Sequence, residues 1–204
     1  MEITSILPPF VAAHLPELAI AGALAWGAGL RLYFVVFLFG LAGAMGWWEL
    51  PATLQVLQNP LVIGAAGLMA VVELFADKLP LLDSLWDAVH TLIRIPAGAA
   101  LAAAAFGDSG AAVALAAALL GGTVTATTHL TKTGSRAAAN TSPEPLSNVV
   151  LSASEDVAVA AGSWLAISYP LAFLSLLLLF LLIAAVMARV IWRGYQRWRL
   201  RRAG

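Results

Sequence analysis

Six apolar stretches, at residues 17–48, 60–76, 95–107, 110–128, 149–167 and 171–192, leave little of this chain outside a greasy segment. About 20 apolar residues carry a helix across a bilayer, so the pattern predicts an all-α membrane protein, a bundle of about six transmembrane helices. The 95–107 run is short, and a helix over 84–93 is expected to complete it. Composition agrees: 61% of the residues are hydrophobic and 11% charged, against about 25% charged in soluble domains. There is no cysteine, which excludes disulfides and thiolate metal sites. Any chemistry falls to carboxylates, His, Lys, Arg and hydroxyls.

A net charge of zero hides an asymmetry. Six of the eleven Lys and Arg residues, Arg189, Arg193, Arg197, Arg199, Arg201 and Arg202, lie in the last sixteen positions. By the positive-inside rule that end is cytoplasmic. Counting back through six crossings places Lys132 and Arg136, then Lys78 and Arg94, on the same side, with Glu49 and Asp108 outside. Trp47, Trp48 and Trp164 then mark one interface, and Trp192, Tyr195 and Trp198 the other. The chain divides into a single transmembrane domain, 1–190, and a basic cytoplasmic tail, 191–204, whose expected partners are the lipid bilayer and its anionic headgroups rather than nucleic acid. The first basic residue is Arg31, so a cleavable leader with a basic start is not expected. The small size suggests a homo-oligomer.

Arg31 is the exception to this topology. It interrupts a run rich in small residues (Gly22, Gly27, Gly29, Gly40, Gly43, Gly46) that exceeds one straight span, so residues 17–48 are either a long tilted helix or one broken near Gly27-Ala28-Gly29. An unpaired guanidinium in hydrocarbon costs at least about 2.5–3.5 kcal/mol, so Arg31 is expected to point into the bundle. The order of cationic, acidic and Pro-preceded segments suggests two three-helix repeats, 17–107 and 108–190, inverted relative to each other as in many secondary transporters.

Two charge stripes follow from helical spacing. Glu73 and Asp77 share one face; beyond Pro80, Asp83, Asp87, His90 and Arg94 form another line. His129, Lys132, Arg136 and Asn140 form a basic stripe after the fourth apolar run. Glu155 and Asp156 lie in the fifth. Ionisable groups are rare in such segments and mark ion pathways or substrate sites, so Arg31, Glu73, Asp77, Lys78, His129, Lys132, Arg136, Asn140, Glu155 and Asp156 are the candidates for binding an ion or substrate.

Three readings compete with a purely structural salt-bridge network. A carboxylate among Glu73, Asp77, Glu155 and Asp156 could exchange a proton or cation. Arg31, Lys132 and Arg136 could hold an anionic solute or a lipid headgroup. Asp83, Asp87 and His90, with Glu73 or Asp77, could bind a divalent cation through hard ligands. Transport of a small ion or anionic solute leads; a structural or lipid-binding membrane protein is the alternative. A metal-dependent enzyme acting on a lipid-linked phosphate comes last, because the acidic spacing matches no diphosphate-chelating motif.

Four strings carry a resemblance: Gly29-Leu30-Arg31-Leu32-Tyr33; Glu73-Leu74-Phe75-Ala76-Asp77-Lys78-Leu79-Pro80 with Asp83 and Trp86-Asp87; His129-Leu130-Thr131-Lys132 with Arg136 and Asn140; and Ser154-Glu155-Asp156. Over residues 17–190 the chain resembles a bacterial family of small polytopic inner-membrane proteins defined only as a domain of unknown function. The resemblance implies a multi-pass protein of the bacterial inner membrane and no particular activity.

Overall fold

The computed structural model describes residues 7–76, 80–139 and 145–203, with residues 80–85, 87, 88, 139, 145–148 and 201–203 described by backbone alone. The order is α1 (Pro9–Ala13), α2 (Leu15–Ala44), a 3-10 turn (Ala52–Gln58), α3 (Pro60–Ala76), α4 (Pro80–Ala104), a short 3-10 turn (Gly107–Ser109), α5 (Ala111–Ala139), α6 (Pro145–Ser168) and α7 (Pro170–Ala203). The described residues contain no strand. Five of the seven helices begin on proline, where the fixed φ suits the first turn and the missing N–H is no loss. Pro96 instead lies inside α4, where it removes one backbone hydrogen bond.

α2 is the centre of the molecule and is not one straight rod. Arg31 has φ −146° and ψ 74°, outside the helical region, which breaks the helix near its middle. Residues 27 and 35 would stand about 12 Å apart along a straight helix. A Cβ built on Gly27 would instead lie 2.8 Å from Val35 Cγ2. The far ends meet too: Pro16, Glu17 and Ile20 border the same cavity, about 280 Å³, as Glu49 and Leu50. α2 is therefore a helical hairpin with Arg31 at its tip. It closes in a Schellman motif, Gly46 at φ 72° with Trp47 N–H donating to Ala42 O and Gly46 N–H to Gly43 O.

Small residues let the hairpin seat deeply. On its first arm Gly22 faces Leu177 and Phe173 of α7, and Trp26 packs on Gly162 of α6. Ala25 O accepts a hydrogen bond from Thr125 of α5. The second arm lies against α3, with Phe37 on Gly67. Burial reflects this: 56% of the apolar window of α2 is enclosed, against 11% for α7 and 22–28% for α5 and α6. Those outer helices present their apolar faces outward, as lipid-facing helices do.

Among the described residues four helices (α2, α5, α6, α7) are long and apolar enough to cross a membrane by length and composition, or five if the 3-10 turn at Ala52–Gln58 and α3, bent by 65°, form one span, where the sequence led us to expect about six. Among the described residues α4 contributes Val89–Ala104, an apolar helix shorter than a full span. The chain suits a multi-pass integral membrane protein. Helix α7 also runs unbroken past residue 190, so the basic tail continues the last helix. At about 51 Å, α7 exceeds a hydrocarbon core of about 30 Å by several turns.

Candidate functional site

Two groups of buried charges occupy the bundle. The first forms where the hairpin tip meets α5 and α6. Arg31 is 1% exposed. Its Nη2 donates to Ser152 Oγ at 2.7 Å and to Ser152 O at 3.2 Å. Its Nε stands 2.9 Å from Asp156 Oδ1 and 3.5 Å from Glu155 Oε2. Glu155 is the hub: Arg136 Nη2 lies 3.1 Å and Lys132 Nζ 3.4 Å from the same Oε2, and Arg136 Nε donates to Oε1 at 3.4 Å. Lys132 Nζ also donates to Leu30 O at 3.0 Å. A broken helix is what makes a backbone carbonyl available to a side chain.

The tip fits this corner because Gly29 has no side chain. A Cβ there would stand 2.6 Å from Thr128 Cβ and 2.7 Å from Thr125 O. α5 supplies the opposing wall with its hydroxyls already satisfied, since Thr123, Thr125, Thr127, Thr128 and Thr131 each donate to the carbonyl four residues back.

The second group joins α3, α4 and α5. Arg94 Nη2 pairs with Glu73 Oε1, both side chains at most 1% exposed. Arg94 Nη1 lies 3.2 Å from His129 Nδ1, and His129 Nε2 lies 2.6 Å from Thr91 Oγ1. A guanidinium only donates, so Nδ1 accepts and the proton sits on Nε2, donating to Thr91. His90 has the opposite tautomer: Nδ1–H donates to Trp86 O at 2.9 Å, and Nε2 accepts from the Tyr33 hydroxyl at 3.1 Å. The His90 ring stacks on Trp86 with centroids 4.0 Å apart.

The stripe His129, Lys132 and Arg136 thus faces inward along α5 and touches both groups, His129 the second and Lys132 and Arg136 the first. Glu73 meets Arg94. Asp77, Lys78 and Asn140 lie outside the described residues, as do the side chains of Asp83 and Asp87. For the divalent-cation set, both ring nitrogens of His90 are engaged in hydrogen bonds. Among the described residues no three His, Asp or Glu side chains cluster to hold a metal.

Sequence reasoning did not single out Ser152, Tyr33, Thr91 or the Leu30 carbonyl as partners. Ser152 had a usable signal, one helical turn before Glu155 and Asp156. The Leu30 carbonyl had none, since backbone exposure follows from the hairpin.

No curated protein and no solved structure matches the chain. A family model, described as Domain of unknown function (DUF4126), matches residues 18–190. That covers most of the chain and both charge groups, and the chain belongs to this family.

Proposed function

We propose that this protein is a small membrane transporter for an ion or anionic solute, with the Arg31 corner as its binding centre. One observation carries the reading: five charged side chains from three helices converge on the non-helical tip of a hairpin in the bundle interior. Buried charges at membrane depth mark ion and substrate paths, and broken helices that offer backbone carbonyls are a recurring way to build such centres. Arg31, Lys132 and Arg136 are the groups suited to an anion; Glu155 and Asp156 hold them in place until it arrives.

The hairpin supports a topology in which α2 enters and returns on one side. Its arms, about 24 Å and 20 Å long, are each shorter than a hydrocarbon core of about 30 Å. The bent α3 unit and α4 to α7 then make five crossings. Arg94, Lys132, Arg136 and the tail belong to the cytoplasmic end, with Glu17, Glu49 and Asp108 opposite. Arg31 reaches the same half from the far side, so it is no longer an exception.

Purified protein in liposomes should show ion-gradient-driven flux of chloride or phosphate that Arg31→Gln abolishes while helix content by circular dichroism persists. Equal flux in wild type and variant would remove the reading. The enclosed Glu73–Arg94 pair favours a second role beside it, a brace that fixes α3 to α4.

A further inference from the structure

We infer that Asp156 is the group at which water-borne protons reach the buried charge centre. The inference rests on the transport reading and names the coupled ion.

The Asp156 side chain is 30% exposed, whereas those of Glu155, Arg31, Lys132 and Arg136 are 9%, 2%, 0% and 3% exposed. Among the described charges of the corner it is the most open to the outside. It is also far from either end of its helix. α6 runs Pro145–Ser168, so Asp156 stands about 18 Å from each terminus, at the depth where hydrocarbon would surround a spanning helix.

The lipid-facing side of α6 is marked by Val150 and Val157, 65% and 68% exposed. The inward side is marked by Ser152, Val159 and Ser163, each at most 1% exposed. Asp156 follows Ser152 by one turn, on the shoulder of the inward side. A partly open carboxylate at that depth is tolerated where it lines water rather than lipid. Water that reaches it delivers protons.

The geometry gives the proton a consequence. Among the described residues the charged groups facing Asp156 include Arg31 from α2 and Glu155 beside it on α6; Lys132 and Arg136 of α5 stand behind Glu155. α7, also packed on α6, brings its first charged residue only at Arg189. A proton from water that binds Oδ1 of Asp156 cancels its charge and releases Arg31 Nε to Glu155, 3.5 Å away. Glu155 is then the carboxylate shared by Arg31, Lys132 and Arg136. Protonation at an accessible residue thereby raises the positive charge of an inaccessible one.

The test uses the full chain in lipid vesicles. Infrared difference spectra taken while bulk pH is stepped should contain a carboxyl C=O band that vanishes in Asp156→Asn, persists in Glu155→Gln and Glu73→Gln, and shifts in Asp156→Glu. The last variant keeps the charge and identifies the residue if Asp156→Asn does not fold. Because the chain has no cysteine, Asp156→Cys is a clean reporter of water. A thiol reacts through its thiolate, which water supports and hydrocarbon does not, so Asp156→Cys should react with a charged, impermeant thiol reagent at least about tenfold faster than Val157→Cys.

Absence of a titrating band, or a band lost in Glu155→Gln but kept in Asp156→Asn, overturns the proposal. So does equal thiol reactivity at positions 156 and 157. Any of these together with flux lost in Arg31→Gln would leave transport standing without the proton.

Discussion

Gly27 and Val35 touch although they stand eight positions apart on one helix, because the chain reverses at Arg31 between them. The contact leaves no room for a side chain at 27. Gly27→Leu would overpack the arms and should destabilise the protein by about 1–3 kcal/mol. Val35→Ala in the same chain should recover part of that loss. Denaturation in detergent, followed by circular dichroism, measures both; a Gly27→Leu variant as stable as wild type would mean the arms do not touch.

In the proposed topology both ends of α2 face one side of the membrane. Single cysteines at Ala13 and Glu49, both exposed, should label from the same side of a sealed vesicle, and one at Arg199 from the other. Labelling of Ala13→Cys and Glu49→Cys from opposite sides would show that α2 crosses once.

Glu73 and Arg94 are fully enclosed. Removing one partner of such a buried pair takes the opposite charge away from the other and costs about 3–5 kcal/mol. Glu73→Gln and Arg94→Met should each lower thermal stability by that order, and the double variant should be less damaged than the two losses added. Strict additivity would argue that the two residues are not coupled.

His129 accepts from Arg94 and donates to Thr91, which specifies its tautomer. Nitrogen NMR of labelled histidine should show the Nε2–H form at His129 and the Nδ1–H form at His90. The same tautomer at both rings would contradict the hydrogen-bond assignment.

Much of this was legible from spacing. Apolar runs located most helices, because hydrocarbon imposes a length and leaves few residues that break it. That His129, Lys132 and Arg136 share one face follows from helical periodicity; that the face points inward is seen only in their burial. Arg31 stood out as a cation that needed partners within the bundle. What spacing could not reveal was the reversal at Arg31: a hairpin and a long tilted span bury the same kinds of residue, and the difference lies in one pair of backbone angles. Ser152 had its signal in lying one turn before Glu155 and Asp156, but a serine in a membrane helix ordinarily bonds its own backbone, so its pairing with Arg31 follows only from the reversal.

The separation in sequence between Arg31 and Ser152, 121 residues, has a consequence for synthesis. The hairpin emerges from the ribosome long before the helix that receives its tip. Until α6 has been made, the guanidinium has none of Ser152, Glu155 or Asp156 to meet, and the arms cannot settle at full depth without leaving it bare. Insertion of the first hydrophobic segment is therefore provisional. It completes only when the fifth apolar run arrives, so a nascent chain halted before α6 should hold α2 in a shallow state, open to the quality-control proteases that survey unfinished membrane proteins.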